Sequence, residues 1–151
     1  MRLLVTGGGT GGHVYPALAV IEALAADGDW ETAGHQVAWV GTAAGVERKL
    51  AAEAGIPFFA VSAGALRGRS PWAAARGLKD MLSGYEQARA LVRSWKPDVV
   101  LSTGGYVSAP LVLAARALRC PVMIYLPDIE PGMAVRYLSV GAQKVAVSFP
   151  E

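Results

Sequence analysis

Short apolar runs alternate along this chain with longer stretches whose apolar positions recur every three or four residues. Leu3-Leu4-Val5 is such a run, ending in glycines, and it predicts a buried parallel strand feeding a tight turn. From Val14 to Ala26 the positions Ala17, Leu18, Ile21, Ala23 and Leu24 suit a buried helix, with Pro16 tolerated in its first turn. Val37–Val40 and Phe58–Val61 predict two further strands. Val46–Ala54 reads as the helix between them, stopped by Gly55 with Pro57 just beyond.

Ser70-Pro71 is a strong helix start, a side-chain cap followed by proline at the first helical position. Leu78, Met81, Tyr85, Ala88, Val92 and Trp95 follow at spacings of three and four, which predicts one core-facing stripe, and Pro97 ends the helix. Strands at Asp98–Ser102, Val122–Leu126 and Lys144–Ser148 then alternate with helices at Val107–Leu118 and Pro131–Leu138. Such alternation implies right-handed crossovers and an open parallel sheet, a Rossmann-like α/β domain over residues 1–151. Ligands of such sheets sit beyond the carboxyl ends of the strands, where this chain places its glycines.

Composition agrees with one ordinary domain: 151 residues, 53% hydrophobic and 17% charged, leave no disordered tail to expect. The lone Cys120 precedes an apolar run and reads as a buried reduced thiol, as in a cytosol. Glycines from Gly7 interrupt any signal-peptide core, and no run approaches the ~18 apolar residues of a membrane span, so a soluble protein is expected. Charge is local. Residues 67–96 hold seven basic side chains against Asp80 and Glu86, whereas residues 1–66 are net acidic. That suits one anion-facing surface rather than nucleic acid binding.

Two glycine segments carry the candidate chemistry. Gly7-Gly8-Gly9-Thr10-Gly11-Gly12-His13 lies between a strand and a helix, as does Ser102-Thr103-Gly104-Gly105-Tyr106-Val107-Ser108. Glycines let backbone approach a ligand closely, and the following helix offers unpaired N–H groups to a phosphate. Tight turning alone would need only one glycine in each. A dinucleotide cofactor would want an acid at the end of the second strand, where Gly41-Thr42-Ala43 has none. A Walker loop fails as well, because His13 and Val14 follow Gly12 in place of Lys-Ser/Thr. Two loops at neighbouring strand ends instead suit a diphosphate, with Gly9, Thr10, Gly11, Gly12, Gly104, Gly105, Tyr106, Val107 and Ser108 as its cradle. His13, at a helix start beside that cradle, could take a proton from a sugar hydroxyl or serve structure only. His35 reads as a surface loop residue.

Read together and in order, several segments carry a resemblance. Gly8-Gly9-Thr10-Gly11-Gly12-His13 with Pro16-Ala17-Leu18-Ala19, Leu66-Arg67-Gly68-Arg69, Lys96-Pro97-Asp98-Val99-Val100, Gly104-Gly105-Tyr106-Val107-Ser108 and Phe149-Pro150 span essentially the whole chain. The sequence resembles the amino-terminal half of the MurG-type N-acetylglucosaminyltransferases of glycosyltransferase family 28. The resemblance implies a two-domain GT-B enzyme of peptidoglycan synthesis, peripheral on the cytoplasmic face of the plasma membrane. In such an enzyme this half receives a lipid-diphosphate-linked sugar, and a carboxyl-terminal half, absent here, binds UDP-N-acetylglucosamine. Transfer would invert the anomeric carbon without a cofactor or an obligatory metal, with His13 as the candidate base, and this half alone should not turn over.

One segment departs from the pattern. Where the family carries His-Glu-Gln-Asn, this chain has Tyr125-Leu126-Pro127-Asp128, which leaves Asp128 as the acceptor-side candidate or as a turn residue before Pro131. The acceptor could therefore be another glycolipid. Trp72, Arg76 and Lys79 share one helix face, preceded by Arg67 and Arg69, and with a lipid-linked acceptor implied they read as contacts to an anionic membrane. The alternatives are a non-catalytic module that recruits a separate donor-binding chain, and a small nucleotide-cofactor oxidoreductase, disfavoured by the missing acid.

Overall fold

The computed structural model describes residues 1–26, 28, 30, 32–64 and 70–149. The elements follow in the order β1 (Arg2–Thr6), α1 (Gly11–Ala26), β2 (Gln36–Gly41), α2 (Val46–Glu53), β3 (Phe58–Ala60) and α3 (Pro71–Trp95). Then come β4 (Val99–Ser102), a 3₁₀ turn at Tyr106–Ser108, α4 (Ala109–Ala117), β5 (Val122–Leu126), α5 (Met133–Ser139) and β6 (Lys144–Val147). The strands form one sheet in the order β3-β2-β1-β4-β5-β6, and every pairing is parallel.

Strand periodicity splits the core between the two faces of that sheet. Leu4, Ala38, Val40 and Val100 point to one face and pack with Ala88 and Val92 of α3, Leu111 and Ala115 of α4, and Val135 of α5. Leu3, Val5, Trp39 and Leu101 point to the other, against Val14, Ala17 and Ile21 of α1 and Ala51 of α2. Each fully buried Val or Leu contributes roughly 1.5–3 kcal/mol, so both layers are needed to hold the sheet. Cys120 is buried in the first layer, as its apolar context predicts.

Helix ends obey their local chemistry. The Ser70 hydroxyl accepts from the Ala73 amide at 3.4 Å with Pro71 at the first position, and Lys96 closes α3 in the left-handed region at φ 50°.

Two expectations need correction. Helix α1 begins at Gly11 rather than Val14, so Pro16 lies in the second turn, where its missing N–H deletes the bond to Gly12. Leu78 is not on the inner stripe of α3; it is exposed, and buried Gly77 and Gly84 take that side. A Cβ on Gly84 would collide with the Ser62 carbonyl, and one on Gly64 would lie 2.5 Å from the Gly77 Cα. Backbone-to-backbone approach therefore sets the inner face at this end of α3, and an apolar-periodicity reading passes over glycine.

Candidate functional site

The strand order reverses between β1 and β4, because the chain winds outward from β1 in one direction and from β4 in the other. In open parallel sheets, ligands bind beyond the carboxyl ends of the strands at such a reversal. The loops leaving β1 and β4 are the two glycine segments.

They are bonded to each other. The Thr103 amide donates to the Thr6 carbonyl at 3.0 Å, and the Thr103 hydroxyl donates to the His13 carbonyl at 2.5 Å. His13 Nδ1 lies 3.0 Å from the Thr103 carbonyl oxygen. A carbonyl can only accept, so Nδ1 carries a proton, and in the neutral ring Nε2 then holds the lone pair. Among the described residues Nε2 has no hydrogen-bond partner.

The ring sits against bare backbone. A Cβ on Gly104 or Gly105 would each lie 3.3 Å from a ring carbon of His13. Gly105 adopts φ 82°, and its Cβ would strike the Gly8 carbonyl oxygen, so the loops touch only because both residues are glycine.

The amides of the predicted cradle divide into two sets. Those of Thr10, Gly11, Gly12, Gly105, Tyr106 and Val107 have no protein acceptor among the described residues. The others are engaged: Gly9 N points to Glu47 at 3.5 Å, Gly104 N donates to the Ser102 hydroxyl at 3.3 Å, and Ser108 N donates to the Gly105 carbonyl at 3.2 Å. The Ser108 hydroxyl is buried and also donates to the Gly105 carbonyl, at 2.7 Å. Thr10 is exposed, and its carbonyl accepts from the His13 amide at 3.2 Å. Two tyrosines flank the first loop: a Cβ on Gly9 would lie 3.5 Å from the Tyr106 ring, and one on Gly11 would lie 3.2 Å from the Tyr15 ring.

Glu47 went unnoticed in the sequence. It is fully buried in the first turn of α2, with Oε1 accepting from the Thr42 amide at 2.9 Å and the Thr42 hydroxyl at 2.8 Å. A carboxyl therefore does stand at the end of β2, where Gly41-Thr42-Ala43 offers none of its own. Being buried, it faces no ribose, so the case for a dinucleotide gains nothing from it. The only signal for it was an acid spaced among Gly41, Thr42 and Gly45.

Asp128 is exposed beyond β5 without a hydrogen bond among the described residues, while the Tyr125 hydroxyl pairs with that of Ser148 at 2.9 Å. His35 is half-buried, edge-on to Trp30 and bonded to the amino terminus. Trp72 is 88% exposed at the start of α3, with Arg76 and Lys79 exposed beside it, and Leu78 and Leu82 are exposed on the flank of the same helix. Arg67 and Arg69 lie outside the described residues. A cavity of about 770 Å³ runs from Trp72, Arg76 and Lys79 to Tyr106, joining the basic helix to the second glycine loop. No helix among the described residues is long and apolar enough to cross a membrane.

Residues 3–147 match the glycosyltransferase family 28 N-terminal domain. The chain is 39% identical over its whole length to the UDP-N-acetylglucosamine–N-acetylmuramyl-(pentapeptide) pyrophosphoryl-undecaprenol N-acetylglucosamine transferase of Geobacter metallireducens, covering 40% of that protein. It is 40% identical over 150 residues to the enzyme of the same name from Shouchella clausii, covering 99% of this chain and 41% of that one. The crystal structure of Acinetobacter baumannii MurG superposes with a TM-score of 0.79 at 32% identity, over 99% of this chain and 41% of that one. The chain thus spans about 40% of the length of the relatives it matches.

Proposed function

The chain belongs to glycosyltransferase family 28, as that family's N-terminal domain, and on that premise we propose that it is the acceptor-binding half of an inverting N-acetylglucosaminyltransferase of peptidoglycan synthesis. The acceptor is a muramyl peptide linked through a diphosphate to a lipid. A second Rossmann-like domain supplies UDP-N-acetylglucosamine. The free amides of Gly11 and Gly12 at the start of α1, and of Tyr106 and Val107 at the 3₁₀ turn after β4, meet the diphosphate of the acceptor. The acceptor hydroxyl attacks the anomeric carbon as its bond to UDP breaks. The hydroxyl proton passes to Nε2 of His13, and UDP leaves with the bonding pair from the opposite face.

The single observation that carries this reading is the bond from His13 Nδ1 to the Thr103 carbonyl, which ties the basic nitrogen's orientation to the second glycine loop. Trp72, Arg76 and Lys79 form the surface that meets an anionic membrane, with each cation adding ~1 kcal/mol near the headgroups. The cavity between that surface and Tyr106 gives a lipid-linked diphosphate a path to the loops.

The test is sugar transfer from UDP-N-acetylglucosamine to lipid I by this chain joined to a donor-binding domain, with a His13→Ala version beside it. Transfer that falls by roughly 10²–10⁴ in the variant supports the reading. A variant that turns over near the wild-type rate removes His13 as the base. Tyr125-Leu126-Pro127-Asp128 favours a second reading, in which the same chemistry serves a different glycolipid. Turnover of another lipid-linked sugar in preference to lipid I would select that one.

A further inference from the structure

Among the described residues, Glu47 is a fully buried carboxyl that the proposed chemistry leaves unused. Its side chain is completely buried, yet no cation stands beside it among the described residues, so burial has to be offset by hydrogen bonds. Thr42 supplies two of these to Oε1, leaving Oε2 to face the Gly9 amide at 3.5 Å.

Space around the carboxyl is as specific as its bonding. A Cβ on Gly8 would lie 2.7 Å from the Glu47 Cδ, one on Gly41 would lie 2.6 Å from its Cγ, and one on Gly45 would overlap the carboxyl group. Three glycines from three segments thus leave a slot that only this side chain fills. A carboxyl placed merely to favour the start of α2 would sit equally well in solvent.

We infer that Glu47 is a positioning residue for acceptor binding, holding the Gly8–Gly9 end of the first loop inward so that the amides of Gly11 and Gly12 stay free for the diphosphate. The inference rests on the proposed function above. Glu47 touches no substrate itself. Its hold acts through Gly9, whose φ of 86° is the bend that separates the inward amide from the outward ones.

Glu47→Gln keeps the shape and the two bonds from Thr42, but turns an amide donor towards the Gly9 N–H. In the enzyme carrying both domains, this variant raises the acceptor KM about tenfold and leaves kcat and the donor KM within about twofold. In the 151-residue chain itself, hydrogen exchange at Gly9 speeds up about tenfold, while exchange at Tyr106 and Val107 is unchanged. An acceptor KM and Gly9 exchange that both stay at wild-type values overturn the inference. Faster exchange across the whole sheet with an unchanged acceptor KM also overturns it, because that is the signature of a purely structural carboxyl. A wild-type enzyme that transfers nothing sinks the proposed function instead, and Gly9 exchange then decides by itself whether Glu47 holds the loop.

Discussion

The Thr103 carbonyl oxygen lies 3.0 Å from His13 Nδ1 across 90 residues of sequence, and the Thr103 hydroxyl returns the contact by donating to the His13 carbonyl. One residue of the second loop thereby fixes both the tautomer and the backbone of the histidine at the end of the first. His13→Asn should keep a donor near the Thr103 carbonyl and preserve folding, but it has no basic nitrogen at the Nε2 position. Thermal unfolding of the chain should be close to wild type, and transfer by the two-domain enzyme should fall by about 10² or more.

The close approach of the two loops depends on Gly105. Gly105→Ala forces a left-handed φ on alanine and drives its Cβ into the Gly8 carbonyl, which should cost at least about 2 kcal/mol in urea unfolding. Gly132→Ala is the control. Gly132 precedes α5 at φ −60° with open space where a Cβ would go, so its substitution should change stability by no more than about 1 kcal/mol.

The exposed face of α3 should bind anionic lipid. Sedimentation with phosphatidylglycerol vesicles should capture the chain at low salt and release it as salt rises, and Trp72→Ala combined with Arg76→Glu should weaken capture about tenfold. Binding that is absent, or indifferent to salt, would remove the membrane from the account.

Burial, followed by the negative charge of Asp98, pushes the Cys120 thiol above its ordinary pKa. The protonated thiol is the form that the fold prefers. Its contribution to stability is therefore complete below the unfolded thiol pKa and is lost as pH rises through the folded value. Cys120→Ala should lessen the drop in urea midpoint between about pH 8 and about pH 10. Alkylation of native Cys120 at about pH 8 should be slow, and fast once the chain unfolds.

The sheet was legible because its strands are short apolar runs punctuated by glycine or proline, and parallel strands buried on both faces leave that signature. The two loops could be read for a similar reason, since runs of glycine at a strand end have few other uses. The inner face of α3 was not. Gly77 and Gly84 carry no apolar side chain to count, so the periodicity settled on Leu78, which the structure exposes. Glu47 was hidden more deeply. An acid in the first turn of a helix reads as surface, and its partners Thr42, Gly8 and Gly9 converge only when β1 and β2 pair side by side.

The central claim is that free amides at the start of α1 and at the 3₁₀ turn before α4 grip one diphosphate. Titrating inorganic pyrophosphate into the isotope-labelled chain, and following the backbone amides by NMR, tests it most directly. The account predicts that Gly11, Gly12, Tyr106 and Val107 shift together along one binding curve. Pyrophosphate that perturbs only one of the loops, or only the basic surface at Arg76 and Lys79, would contradict it.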